Sequence, residues 1–373
     1  MSDIKQVFDF LTAKQHVCNA PFVSLNFKST GIISACCMSR DYELGRYPES
    51  SLTDIWFGEK IKEMRKAIDS FDFTKGCTSC YKQISSGNYH NSLLAAFHHK
   101  QFKLNSIFPV MLEFEMSSIC NYECIMCGGD WSSSIRKNRE KLPPLVSPYD
   151  DEFLKQLTLF APHLQCAKFL GGEPFATPLY YKIWEMLYTY NPNIEICITT
   201  NGSILNQKVF DIFDRYKDVI VCISIDSLNH DTYKFIRRGG DLNTVLKNIT
   251  SIQEYENKNR RKIFNSVAVC PMIQNWRDIP DILKFCDDFN INICFNNVSG
   301  VLGTRIKGIH ENGKVKEGIT VAYDELLPEV SIHTLPTETI KEIIETYQQI
   351  KVKHLINHNK LQNLISSLQC MVQ

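Results

Sequence analysis

No apolar run in this chain of 373 residues approaches the roughly 18 residues that a membrane-spanning helix needs. The first residues, MSDIKQVFDFLTAKQ, are amphipathic and lack the continuous apolar core of a secretory signal. Charge of one sign is not in excess: Lys+Arg and Asp+Glu both number 41, and long runs of like charge do not occur. These absences argue against a membrane protein. They also argue against a general electrostatic affinity for nucleic acid, although they leave a local basic patch open. Internal repeats and low-complexity tracts are absent too. A cytoplasmic globular protein is the expectation, and 44% hydrophobic with 22% charged residues is ordinary for one.

What the chain does have is fifteen cysteines. That is below the density of a disulfide scaffold. In a cytoplasmic protein of this length, clustered cysteines more often bind metal or act chemically. Cys120, Cys124 and Cys127 are tightly spaced, and Cys18, Cys36, Cys37, Cys77 and Cys80 occupy the N-terminal region. Cys166, Cys197, Cys222, Cys270, Cys286, Cys294 and Cys370 are scattered, most of them among apolar neighbours. They read mainly as buried core fillers. Cys270 ends a predicted strand, so it is also a candidate to face a cavity and donate a hydrogen atom.

Two regions differ in pattern. Before about residue 105, Val23, Leu25 and Phe27 alternate ahead of a Ser29-Thr30-Gly31 turn and Ile32-Ile33, which predicts a hairpin. Residues 52–68 then carry apolar residues at helical spacing. From about 108 the pattern alternates between strands, expected at 108–116, 167–171, 194–200, 219–225, 263–270 and 291–298, and helices. One helix is well marked: Ser147 as cap, Pro148 at the first helical position, and Asp150, Asp151 and Glu152 at its positive end. Six βα-type units are too few for a complete eight-unit barrel. The predicted fold class is therefore α/β, a partial (βα)6 TIM-like barrel preceded by a small α+β module. The expected domains are 1–105, 106–300 and a helical extension at 301–373, with helices starting near Thr337 and Lys351.

The segment CNYECIMC places Cys120, Cys124 and Cys127 in C-x3-C-x2-C spacing directly after the apolar stretch FPVMLEFEM. A strand end feeding such a loop puts three thiolates at the C-terminal rim of a barrel, where active sites of such folds lie. Three cysteines hold three irons of a cubane and leave the fourth open, whereas closed iron–sulfur sites use four. Taken alone, the segment also suits half of a zinc site. GGEP at 171–174, TTNG at 199–202 and SIDS at 224–227 come next, each at a predicted strand end. With these ordered motifs, residues 108–300 resemble the radical S-adenosylmethionine superfamily. Met126 stands where that family usually has an aromatic residue.

The resemblance implies a 4Fe–4S cluster on Cys120, Cys124 and Cys127, with S-adenosylmethionine chelating the open iron. It implies that Gly171, Gly172 and Glu173 receive the amino-acid end of that cofactor. Ser224 and Asp226 lie on a motif whose Ser and Asp contact ribose or carboxylate in similar enzymes, and Asn201 of TTNG is a further cofactor-binding candidate. One of Arg237 and Arg238 is expected to pair with the carboxylate, for which the guanidinium fork is suited.

Cys18, Cys36, Cys77 and Cys80 form C-x17-C-x40-C-x2-C around STGIISACC, Leu44-Gly45 and SLTDIW. This resembles the SPASM or twitch auxiliary-cluster module of peptide-modifying radical enzymes, here placed before the barrel, and implies one auxiliary iron–sulfur cluster. A zinc ribbon is the alternative for the C-x2-C knuckle, and Cys37 competes with Cys36 as ligand. Together the resemblances imply an enzyme in which an external one-electron reductant, such as flavodoxin or ferredoxin, drives cleavage of S-adenosylmethionine. A 5′-deoxyadenosyl radical then abstracts a substrate hydrogen. A peptide to be crosslinked, oxidised or epimerised is the expected substrate, and a small sugar or nucleoside the alternative; a non-catalytic iron–sulfur or zinc protein is a remote third class. The long, polar, Pro-interrupted segment 129–148 reads as a loop that orders on substrate binding or as a solvated connection.

Overall fold

The computed structural model describes residues 4–39, 41–85, 89, 92–296, 298, 306–311, 314–320 and 330–372. The chain forms two compact units. One holds Met1–Ser117, Val146–Thr199 and Leu205–Val221; the other holds Ser118–Leu145, Thr200–Ile204 and Cys222–Gln373.

In the first unit, β1 (Ser24–Lys28) and β2 (Ile32–Ser34) form the expected antiparallel hairpin, with Phe27 opposite Ile33. A short β3 (Gly45–Arg46) extends it. On its other side β1 runs parallel to β4 (Met111–Glu115), in register from Ser24↔Met111 to Lys28↔Glu115. The N-terminal region therefore shares a sheet with the first strand of the alternating region, a neighbour relation that strand patterning does not reveal. β5 (Cys166–Phe169) and β6 (Glu195–Thr200) continue in parallel.

Phe27, Phe114 and Phe169 are register partners on adjacent strands. Their rings stack at centroid spacings of 5.5 and 4.9 Å. Phe153 of the helix Asp151–Leu157 meets this ladder at Phe27, and Trp184 of the helix Pro178–Tyr190 meets it at Phe169. All five rings are buried, and stacking of this kind adds to the apolar area removed from water.

Two helix expectations are corrected. The stretch 52–68 is two helices, Leu52–Phe57 and Glu59–Asp69, because Gly58 is extended between them. A Cβ at Gly58 would lie 2.5 Å from the Asp54 carbonyl oxygen. The acidic helix starts at Asp151, and its cap is Asp150, whose carboxylate accepts from the Phe153 N–H, in place of Ser147.

β7 (Val219–Ser224) begins in the first unit and ends in the second, where β8 (Phe264–Val269) pairs in parallel with β9 (Asn292–Phe295). The six strands from β4 to β9 all occur where the sequence placed them, within a few residues. Between 301 and 329, where only helices were anticipated later in the chain, β10 (Ile306–Glu311) and β11 (Lys314–Thr320) form an antiparallel pair. The Asn-Gly dipeptide between them in the sequence is the signal that would have found it. Of the last two helices, Thr337–Gln348 begins where expected and Leu355–Gln369 begins four residues after Lys351.

The final helix has a specific task. Asn357 is fully buried; its Oδ1 accepts from the Ile293 N–H at 2.8 Å and its Nδ2 donates to the Ile291 carbonyl at 2.9 Å. One side chain thus satisfies two backbone groups at β9 that would otherwise be left without partners. Asn357→Ala is expected to lower folding stability by about 2–4 kcal/mol through those two buried groups, read as a reduced urea midpoint with an unchanged slope.

Candidate metal centres

Within the second unit, the loop carrying Cys120, Cys124 and Cys127 is tied down from several sides. The Glu123 and Ile125 N–H groups donate to the carbonyls of Arg238 and Ile236 at 2.8 and 2.9 Å. The Arg139 guanidinium donates to the carbonyls of Glu123 and Cys124 at 3.1 and 3.2 Å. Asn201 Nδ2 donates to Asn121 Oδ1 at 3.0 Å and lies 4.0 Å from Cys120 Sγ.

The segment 129–148 is not loop throughout. It contains a helix, Ser133–Asn138, capped by Ser132 and anchored by the buried Ile135. Ser133 and Ser134 hydroxyls both donate to the Cys120 carbonyl, so this helix buttresses the cysteine loop. The signal was a serine cap three residues ahead of a lone apolar residue.

Asp226 and Arg237 meet in a buried ion pair, 2.7 Å between Oδ2 and Nη2, at 0% and 7% exposure. Burial works against the Arg237 charge, but Asp226 and then Cys124 outweigh it and hold the guanidinium firmly protonated. Burial lifts the Asp226 carboxyl, and Arg237 pulls it back. Burial also raises the Cys124 thiol while Arg237 favours its thiolate. Of the two candidate arginines, Arg237 is the one whose guanidinium lies near Cys124, with its Nη2 on Asp226; the Arg238 guanidinium lies over the Phe235 ring.

Asp226 Oδ1 accepts from the Cys270 N–H at 2.7 Å. Asn275, which carried no sequence signal, is fully buried and donates to the carbonyls of Asp226 and Cys270. The Cys270 thiol is pushed up by burial and by Asp226, and it packs with Met126 against Ile125, Ile236 and Met272. Ser224 ends β7 and is half-buried.

In the first unit, Gly171 and Gly172 have φ of +74° and +39°, in the left-handed region. A Cβ on Gly171 would stand 3.2 Å from Glu115 Cα and 3.3 Å from the Ser117 carbonyl oxygen. Glu173 is fully buried, and its Oε1 accepts from the Phe175 N–H at 3.1 Å, capping a short 3-10 turn.

Also in the first unit, Cys18, Cys36, Cys77 and Cys80 line one cavity whose remaining lining residues are all apolar or glycine, among them Met64, Phe73 and Leu94. Burial raises all four thiols, Cys77 to about 12, and each is raised further by other cavity thiols except Cys80. Cys37 is not among the lining residues; its N–H donates to Glu113, which pairs with Lys168 at 3.3 Å. Four thiols lining one cavity with otherwise apolar walls and no cationic side chain suit a soft metal or iron–sulfur group, which supplies the positive charge that four thiolates need. The three-cysteine loop also fits a cluster, with Arg237 as neighbouring countercharge.

A family model for the radical SAM superfamily matches residues 114–286, and one for the SPASM iron–sulfur cluster-binding domain matches residues 18–81. The chain carries a radical SAM domain with a SPASM domain N-terminal to it. A radical SAM domain is a partial TIM barrel, in keeping with the α/β fold and mostly parallel sheet described above. The first domain implies a 4Fe–4S cluster and S-adenosylmethionine, the second an auxiliary iron–sulfur cluster.

Among curated relatives, the GTP 3',8-cyclase of Clostridium botulinum is 26% identical over 62% of this chain and 66% of that protein. The GTP 3',8-cyclase of Saccharophagus degradans is 32% identical over 34% of this chain and 36% of that protein. Streptococcus suis SuiB bound to S-adenosylmethionine is a similar solved structure at 15% identity, 78% and 58% coverage and a TM-score of 0.42. The chain spans less than two thirds of each of these proteins. Among the described residues no helix is long and apolar enough to cross a membrane.

Arg237→Met strands a buried carboxylate and is expected to cost about 3–5 kcal/mol. The double variant Asp226→Asn/Arg237→Met should recover much of that in the same urea titration. Anaerobic reconstitution should load two iron–sulfur clusters. Cys77→Ala/Cys80→Ala should lower bound iron and sulfide by one cluster while the other remains.

Proposed function

We propose that this protein reductively cleaves S-adenosylmethionine at a 4Fe–4S cluster held by Cys120, Cys124 and Cys127 and abstracts a hydrogen atom from a substrate. The observation that carries this reading is the three-thiol loop, tied to the carbonyls of Ile236 and Arg238, with Arg237 near enough to Cys124 to favour its thiolate. When bound, cluster and cofactor supply the electron transfer and the 5′-deoxyadenosyl radical. The chain's own residues bind and orient. Gly171, Gly172 and Glu173 shape a backbone turn for the amino-acid end of the cofactor, and Asn201 and Ser224 contribute polar groups. Asp226 and Arg237 act as a positioning pair. Cys270, anchored by Asp226 and Asn275, is the candidate hydrogen-atom donor. In this reading residues 1–105 form the auxiliary module on Cys18, Cys36, Cys77 and Cys80, residues 106–300 the catalytic domain and residues 301–373 an extension, with a flavodoxin- or ferredoxin-type reductant.

The proposed substrate is a peptide, a reading supported by the SPASM match, since such modules resemble those of peptide-modifying radical enzymes. A small nucleotide is the second reading, favoured by the relatives named GTP 3',8-cyclase. Reduced, reconstituted protein should convert S-adenosylmethionine to 5′-deoxyadenosine and methionine, and Cys120→Ala/Cys124→Ala/Cys127→Ala should abolish this. Retained cleavage in the triple variant would reject the assignment. Turnover stimulated by GTP, with loss of GTP, would move the substrate from peptide to nucleotide. Stimulation by a candidate precursor peptide, with a mass change in that peptide, supports the first reading.

A further inference from the structure

At the N-terminal ends of β5 and β6, three metal-binding side chains meet that the proposed activity does not use. Cys166 opens β5; Glu195 opens β6 and Cys197 lies two residues later. Their ligand atoms all lie within 4.8 Å of one another. The two sulfurs are 3.8 Å apart, and Cys197 Sγ is 3.3 Å from Glu195 Oε1.

The sulfur–sulfur spacing is that of a tetrahedral zinc centre, and the sulfur–oxygen spacing at Cys197 is close to it. Zinc–sulfur bonds of about 2.3 Å at the tetrahedral angle place two sulfurs roughly 3.8 Å apart, and a zinc-bound carboxylate oxygen falls about 3.5 Å from each. A disulfide would need the sulfurs at about 2 Å. We propose that Cys166, Glu195 and Cys197 form a zinc site, separate from both cysteine groups assigned to iron–sulfur clusters.

Charge supports the assignment. Lys100 forms an ion pair with Glu195. Two thiolates, a carboxylate, Zn2+ and the Lys100 ammonium sum to zero, so a largely buried site carries no net charge. Binding releases the two thiol protons, and water fills the fourth position. Cys166 is fully buried, while Glu195 and Lys100 keep about a third of their side-chain surface exposed, which leaves the ion a way in. The site lies at strand N-termini, the end of a barrel associated with stability rather than chemistry. Neither cysteine lines the cavity of Cys18, Cys36, Cys77 and Cys80.

The test uses full-length protein purified anaerobically and analysed for zinc and iron. One zinc per chain is expected. Cys166→Ser/Cys197→Ser should lose it with iron unchanged, and Cys77→Ala/Cys80→Ala should retain it. Lys100→Met keeps every ligand but removes the outer partner of Glu195. It should weaken zinc roughly tenfold or more in competition with a chromogenic chelator, and Lys100→Arg should restore it. Zinc-free wild-type protein, loss of iron in the Cys166/Cys197 variant, a Cys166–Cys197 disulfide in the anaerobic preparation, or unchanged affinity in Lys100→Met would each overturn the proposal.

Discussion

Two opposite charges, on Asp226 and Arg237, organise the three-cysteine loop. The turn that supplies the guanidinium also supplies, from the residues on either side of it, the carbonyls that receive Glu123 and Ile125. Asp226 directs its remaining oxygens to the Cys270 N–H and to Asn275. One buried pair therefore links the segments that come after β7 and β8 to the cysteine loop. Burying two ions costs solvation that their mutual attraction only offsets when the other lone pairs and N–H groups are also satisfied. The Cys270 N–H meets that condition for one carboxylate oxygen, and among the described residues the other faces Arg237 Nη2 alone.

The two cysteine groups solve opposite electrostatic problems. Cys124 has a fixed cation beside it, so part of the charge on a bound cluster is balanced before any metal arrives. Cys18, Cys36, Cys77 and Cys80 have only apolar walls, and their thiols resist ionisation until a cation enters. The first environment tolerates a change of charge during a reaction. The second favours a group whose coordination is complete and whose surroundings exclude water.

Much of this was legible in the sequence, for physical reasons that differ by element. Strands such as VIVCIS announce themselves as an apolar run, although in the structure only one of its faces is fully buried and the other is partly so. The cysteine spacings survive because ligands on one loop must be close in sequence. Contact between distant segments was not legible. That β1 lies beside β4 depends on register partners more than eighty residues apart. That Arg237 serves Asp226 depends on where a short helix ends. Local competition was also misread: Asp150 displaced Ser147 as the cap because its carboxylate reaches the Phe153 N–H. Gly58 broke a helix whose apolar spacing ran straight through it. The helix Ser133–Asn138 escaped because one buried isoleucine among polar residues leaves almost no periodic pattern.

Gly171 illustrates how a motif residue can be constrained twice. Its positive φ and its approach to the backbone of Glu115 and Ser117 are demands of the apoprotein fold, made before any ligand is considered. Selection for folding alone is enough to keep a glycine there. The first glycine of this motif would thus persist in a descendant that had lost its chemistry altogether, and its presence in a sequence dates the scaffold rather than the reaction.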